Sequence, residues 1–302
     1  MSIALLPAAD PAVSMLLLGI CGAALLLASI TDLRTREVPD MLNYGLVFFG
    51  IVLNASLSVL FWDYNFILGS ILGLALCFAI GWAMFYAGQW GGGDSKMLMG
   101  LGATLGLPFQ FGSSFLLALL LNILFAGAVY GLFWSIFLVF RNRKKFSSAF
   151  TRLTSGKYHH AARLIIVALL IAFAAVMLLP FRNSLLKMYM LWLLILGPLM
   201  YYVWLLVKAI EKSAMLVLMP VQKVTEGDWI AKDVLIKGKR ICGPKDLGIS
   251  RQQINLLRKF AQRGLIAKVL VKQGIPFIPS FLLALAFTLL WGNPLAIVVG
   301  LV

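Results

Sequence analysis

Apolar residues run along most of this chain in long, nearly unbroken blocks, parted by short polar or basic stretches. Eight blocks can be marked: Val13 to Thr31, Met41 to Phe61, Phe66 to Ala87, Met97 to Phe109, Phe115 to Phe140, Leu164 to Pro180, Leu185 to Val207, and Ser280 to Leu301. Most approach or exceed the ~20 residues that a helix needs to cross a bilayer. The fourth is the short one. Between Glu211 and Pro276 the pattern changes to shorter, mixed runs, with strand-like stretches at "VQKV", "DVLIKG" and "AKVLVKQ". There, Ser250 and Gln253 form a capping-box start, Ile254, Leu257 and Phe260 share one helical face, and Gly264 marks a stop.

The pattern predicts an α-helical polytopic membrane protein with about eight transmembrane helices and a small cytoplasmic α+β module. Its expected divisions are a membrane core at 1–110, further membrane helices at 111–210 with a basic cytoplasmic loop at 141–163, the module at 211–276, and a final membrane helix at 277–302. Composition agrees: 62% of residues are hydrophobic and 12% charged, against an apolar share of roughly 45–50% in soluble domains. No Lys or Arg precedes the first block. The basic n-region of a secretory signal peptide is therefore missing, and the block is expected to stay as a membrane helix.

Charge assigns an orientation. If all eight blocks cross, 24 of the 26 Lys and Arg residues fall on one side and only Arg182 and Lys187 on the other. The positive-inside bias makes the basic side cytoplasmic and places both termini outside. Removing the short fourth crossing would move "RNRKK" across the membrane and break the asymmetry, so that block is kept, with Pro108 and "QFGSS" as the external turn after it. The net charge of +15 follows mostly from this bias, with attraction to anionic membrane lipid beside it. It does not call for nucleic acid. Cys21, Cys77 and Cys242 form no C-x-x-C pair, so neither a disulfide framework nor a cysteine metal site is expected, and no cofactor is.

Eleven acidic residues remain to be sorted. Asp10 and Asp63 fall outside; Glu211, Glu226, Asp228, Asp233 and Asp246 belong to the module. That leaves Asp32, Glu37, Asp40 and Asp94. Asp32 closes the first block and Asp94 opens the fourth, so both lie at one cytoplasmic depth on different helices. Carboxylates at such positions are often paired or functional. Two brought close share a proton, which supplies one acid and one base for attack of water on an amide. The structural alternatives are that Asp94 caps its helix and that Asp32 is a snorkelling end residue paired with Arg34 or Arg36. Gly91, Gly92 and Gly93 permit backbone conformations closed to other residues. They lack the order of a phosphate loop.

Taken together, "TDLRTREVPDMLN" and, across two further passes, "GGGDSKM" resemble the type IV prepilin peptidases and archaeal preflagellin peptidases, membrane aspartyl proteases of the GxGD type. The GxGD pattern falls on Gly91, Gly92, Gly93 and Asp94, with Lys96 where a basic residue commonly follows. Asp32 matches the first catalytic carboxylate, and Val38, Pro39 and Asp40 the trailing "VPD". More loosely, "TEGDWIAKDV" and "GIPFIPSFLLALAFTLLWGN" resemble an archaeal motif and the last membrane segment of the family. Blocks from Phe115 to Val207 carry no motif. The resemblance implies catalytic Asp32 and Asp94, glycines that admit the substrate backbone, and a Lys96 that either tunes an aspartate or meets lipid phosphate. Glu37 and Asp40 are implied to attract a basic leader or are solvated turn charges. The implied substrates are prepilin or preflagellin precursors, cut on the cytoplasmic side. Bacterial members often carry paired C-x-x-C motifs and methylate the new terminus; without those cysteines an archaeal-type enzyme that only cleaves is implied.

Three other readings compete. A presenilin-like intramembrane protease shares the GxGD element but typically has a Tyr-Asp pair, where this chain has Thr31 before Asp32. A secondary transporter would use Asp32 and Asp94 to bind protons or cations, with the glycines as a broken helix. A non-catalytic assembly partner would dispense with both aspartates.

Overall fold

The computed structural model describes residues 10–108, 114–178, 184–236 and 238–292. Helix follows helix through the first half: α1 (Pro11–Thr35), α2 (Asp40–Leu60), α3 (Asn65–Tyr86), α4 (Gly92–Leu105) and α5 (Phe115–Arg141). Three more follow, α6 (Arg143–Thr154), α7 (Lys157–Leu178) and α8 (Ser184–Ile210). After a mixed segment with α9 (Arg251–Gln262) comes α10 (Ile278–Trp291). Two compact units form, one from residues 1–134 and 274–302, the other from 135–273.

The polytopic helical architecture with a small sheet module holds. By length and composition, five described helical stretches can cross a membrane: α1, α2, α3, α5 and Leu194–Met215. A sixth arises if α6 and the His159–Ala175 part of α7, bent by 66°, count as one span. The expected eight also included α4 and α10, which have 14 residues each. At ~1.5 Å per residue such a helix covers about 21 Å, short of a hydrocarbon core of about 30 Å. The expected turn at "QFGSS" and the far end of the eighth block lie largely outside the described residues. The basic loop expected at 141–163 is instead largely helical: in α6, Phe146, Phe150 and Leu153 recur at helical spacing among Lys144, Lys145 and Arg152, an amphipathic pattern for which charge alone was a poor guide.

In the first unit, small residues let helices touch. A Cβ built on Gly73 of α3 would lie 2.3 Å from the carbonyl oxygen of Gly102 on α4, and one on Gly102 would lie 2.4 Å from that of Gly73. Polar side chains knit the same seam. Asn54 of α2, fully buried, donates to the carbonyls of Gly50, Ala103 and Thr104 at 2.9, 3.2 and 3.1 Å. Ser70 of α3 donates to Ala103 at 2.6 Å. The core around them includes Leu25, Met97, Leu101, Leu119, Ile123 and Phe281.

The second unit holds the module. Strand β1 (Leu216–Pro220) pairs antiparallel with β5 (Lys268–Lys272), which also pairs with β2 (Trp229–Ile230); β3 (Val234–Ile236) and β4 (Lys239–Cys242) form a hairpin. The last two expected strand runs are met by β3 and β5. "VQKV" is instead a 3-10 turn, Val221–Lys223, directly after β1; Pro220 ends that strand because proline cannot extend the ladder. Helix α9 starts as expected, with the Ser250 and Gln253 side chains bonding each other's main chain, and Ile254 and Leu257 enter a core with Val221, Ile249, Val269 and Val271. Gly264, at φ +72°, lies just beyond its end.

Two predictions follow from this packing. Gly102→Ala forces a methyl against backbone, so stability in detergent should fall by ~1–3 kcal/mol or more, read by thermal unfolding, whereas Gly45→Ala, which meets nothing within 4 Å, should leave it unchanged. In the module, burial first, and Asp246 second, push the Cys242 thiol up to about 11 from 9.0. The unfolded chain then ionises before the folded one, so the module should lose stability as pH rises from about 9 to about 11, and Cys242→Ala should flatten that loss in denaturant titrations.

Candidate active site

Asp32 sits in the last turn of α1, on the helix face that carries Cys21, Leu25 and Ala28 into the core. Only 6% of it is exposed. Its Oδ2 accepts a hydrogen bond of 3.0 Å from the backbone N–H of Ile278, the first residue of α10. A helix N-terminus offers free N–H groups and the positive end of the helix dipole, so a buried carboxylate is well placed there. Pro279 follows at the second helical position, where a missing N–H costs nothing. Helix α1 closes on Arg36 in the left-handed region, φ 60°, whose guanidinium donates to the Gly274 carbonyl at 2.8 Å.

Asp94 belongs to the first turn of α4. It is not the cap residue itself: Gly91 holds that place, and Asp94, three residues on, turns back to accept from the Gly91 N–H at 2.9 Å. The bland expectation for Asp94 is thus partly met, as a helix-start carboxylate. Half-buried, it lies within electrostatic reach of Asp32.

A single aromatic contact set ties the two together. Trp90, just before the glycines, is 6% exposed and packs on Phe277 and Phe281 at ring separations of 5.9 and 5.5 Å. Phe277 adjoins the amide that holds Asp32, and Trp90 adjoins the amide that holds Asp94. On its other side Phe277 meets α5: a Cβ on Gly127 would lie 2.6 Å from its ring. Phe277 and Ile278 lie in the stretch that resembles the family's last membrane segment, but neither they nor Trp90 stood out as site residues; the local signal was Pro276 and Pro279, which announce a helix start.

The glycine run has an internal job. A Cβ on Gly93 would lie 3.4 Å from that of Val38, so the first turn of α4 rests against the "VPD" corner, and one on Gly91 would crowd Asp94 Oδ2 at 3.3 Å. Lys96 pairs with Asp40 at 2.6 Å and lies 5.1 Å from the centre of the Tyr44 ring. That contact engages Asp40, while Glu37 is exposed in the corner between α1 and α2. Asn43, one turn into α2 and fully buried, has neither polar atom hydrogen-bonded. An apolar cavity of about 510 Å³ lies against α1 and α2, lined by Ala24, Leu27, Met41, Phe49 and Leu53 and reaching Thr104.

Residues 19–138 match the type IV leader peptidase family. Preflagellin peptidases are similar over parts of the chain. That of Methanococcus maripaludis is 37% identical over 122 residues, which are 38% of this chain and 52% of the relative. Those of Methanocaldococcus jannaschii and Methanococcus voltae are 44% and 41% identical over 81 residues, 27% of this chain and 34% of each relative. The matched part thus spans about a third to a half of the curated relatives. The kinship expected from the two aspartate motifs stands for this part of the chain.

Trp90→Ala should loosen the clasp between the two amides. A core Trp truncation typically costs about 3–5 kcal/mol, so the thermal midpoint should drop markedly while Trp90→Phe retains most of it; equal midpoints for Trp90→Ala and wild type would remove Trp90 from this role.

Proposed function

Since residues 19–138 fall within the type IV leader peptidase family, we propose that this protein is an aspartic endopeptidase that removes the short basic leader from a preflagellin or prepilin precursor at the cytoplasmic membrane face. What carries the reading is that Asp32, held at the start of α10, and Asp94, in the first turn of α4, lie within electrostatic reach of each other inside the matched residues. One carboxylate takes a proton from water as the oxygen attacks the scissile carbonyl carbon; the other, protonated, gives its proton to the carbonyl oxygen. Collapse of the tetrahedral species breaks the C–N bond, and the leaving nitrogen takes a proton.

The surroundings suit such a substrate. A precursor of this type joins a basic leader to a hydrophobic helix, and the apolar cavity beside α1 and α2 is of the right chemistry for the latter. The acidic corner at Glu37 and Asp40 faces the former, with Asp40 shared by Lys96. No metal or cofactor enters the scheme. The basic residues of the loops and of α6 support a cytoplasmic site, by the positive-inside bias.

Membranes containing wild type, Asp32→Asn or Asp94→Asn, incubated with a preflagellin precursor, test the reading. Asn keeps size but cannot ionise, so both variants should accumulate normally and lose the product by at least about a thousandfold, by analogy with removal of a group from a catalytic unit. Wild-type cleavage should fall at both pH extremes, where the pair is doubly protonated or doubly ionised. Cleavage by both variants would end the aspartic mechanism, and absence of cleavage by wild type with proton-coupled uptake in proteoliposomes would favour the transporter.

A further inference from the structure

Helix α5 brings a residue to this site that no motif announced. Its face of Gly127, Tyr130, Gly131 and Trp134 turns to the segment that begins α10: a Cβ on Gly127 would meet the Phe277 ring at 2.6 Å and one on Gly131 would meet Ile275 at 3.7 Å. Tyr130 lies between these two contacts, one helical turn from each other along the same stripe. Its ring stacks on Trp134 at 5.7 Å, which fixes the ring plane. Its hydroxyl is buried and has no hydrogen-bond partner.

A buried phenol hydroxyl without an acceptor is disfavoured, and such groups in folded proteins ask for an explanation. Asp32, whose Oδ2 accepts from the Ile278 N–H, does not supply the acceptor, since neither of its oxygens lies within hydrogen-bond distance of the hydroxyl. Yet Tyr130 lies within electrostatic reach of Asp32, on a helix face packed against Ile275 and Phe277, which precede the amide that Asp32 accepts from. The phenol is a neutral O–H donor near pH 7, its ordinary pKa being about 10. A ligand carbonyl that enters here supplies the acceptor that the hydroxyl lacks.

We infer that Tyr130 is a further catalytic residue, its hydroxyl donating a hydrogen bond to the scissile carbonyl oxygen as negative charge builds on it. The inference rests on the proposed cleavage reaction. The hydroxyl keeps its own proton throughout; the proton that reaches the carbonyl oxygen comes from the carboxyl pair. Donors aimed at a developing oxyanion act mainly in the transition state. The stacked Trp134 and the close Gly127 seat on Phe277 hold the donor still, so no reorganisation is needed when the substrate arrives.

The test is Tyr130→Phe, assayed with the preflagellin precursor beside wild type, Asp32→Asn and Asp94→Asn. The expected result is a kcat about 100-fold lower, a KM within about twofold, and a thermal midpoint unchanged or raised, because an unpaired buried hydroxyl has been removed. A kcat within threefold of wild type overturns the inference, as does a lost kcat that tracks a lowered midpoint. Difluorotyrosine at position 130 keeps the donor but ionises nearer neutral pH. Its cleavage rate should fall as that phenol loses its proton, and an unchanged pH profile overturns the inference even if the Phe variant folds poorly. Wild type that cuts no precursor defeats the proposed function itself, whereas wild type and Tyr130→Phe cutting equally defeat only the role of Tyr130.

Discussion

The hydrogen bond from the Ile278 N–H to Asp32 Oδ2 is the constraint around which the first unit is arranged. It spans 246 residues of sequence and meets two needs at once. A carboxylate that the core has almost shut off from water requires donors, and the first turn of α10 has N–H groups that no carbonyl within that helix can satisfy. Each relieves the other. Phe277, Phe281 and Trp90 pack together beside the bond, and Arg36 secures the approach by gripping Gly274.

Around that point the helices are held less by apolar attraction than by fit. In a lipid setting hydrocarbon tails compete with Leu for Leu, and small residues and interhelical hydrogen bonds decide which faces meet. Gly73 against Gly102 brings the backbones of α3 and α4 into contact, and Asn54 and Ser70 reach carbonyls at the end of α4. A 14-residue helix that could not span a bilayer by itself is thereby locked among longer neighbours, with its first turn, and Asp94, at a fixed height.

Much of this was legible in the chain, and what was not has a physical reason. Long apolar blocks gave α1, α2, α3 and α5 within a few residues, because helix length in a membrane follows bilayer thickness. Asp32 and Asp94 stood out because charge is scarce in such blocks. The strand β1 was missed because the strand-like reading was set just after it, at "VQKV", and a run as short as "LVLMP" has no period that separates a strand from a helix end. Lys96 was read as a partner for the aspartates or lipid, yet its nearest carboxylate belongs to Asp40, a pairing across 56 residues. Tyr130, and the role of Ile278 within a stretch already marked as the last membrane segment, could not be read for a related reason. Their roles come from tertiary neighbours, and in one case from a main-chain amide that any residue would carry.

The long loop closed by Ile278 and Asp32 also bears on timing. A ribosome adding roughly 5–20 residues per second takes on the order of tens of seconds to pass from one to the other. During that interval α1, α2 and α4 already exist while Asp32 has no α10 amide to receive it. The nascent protein therefore holds Asp32 without its amide donor until its late helix is made, and the unit acquires its completed geometry only after nearly all of it has been synthesised.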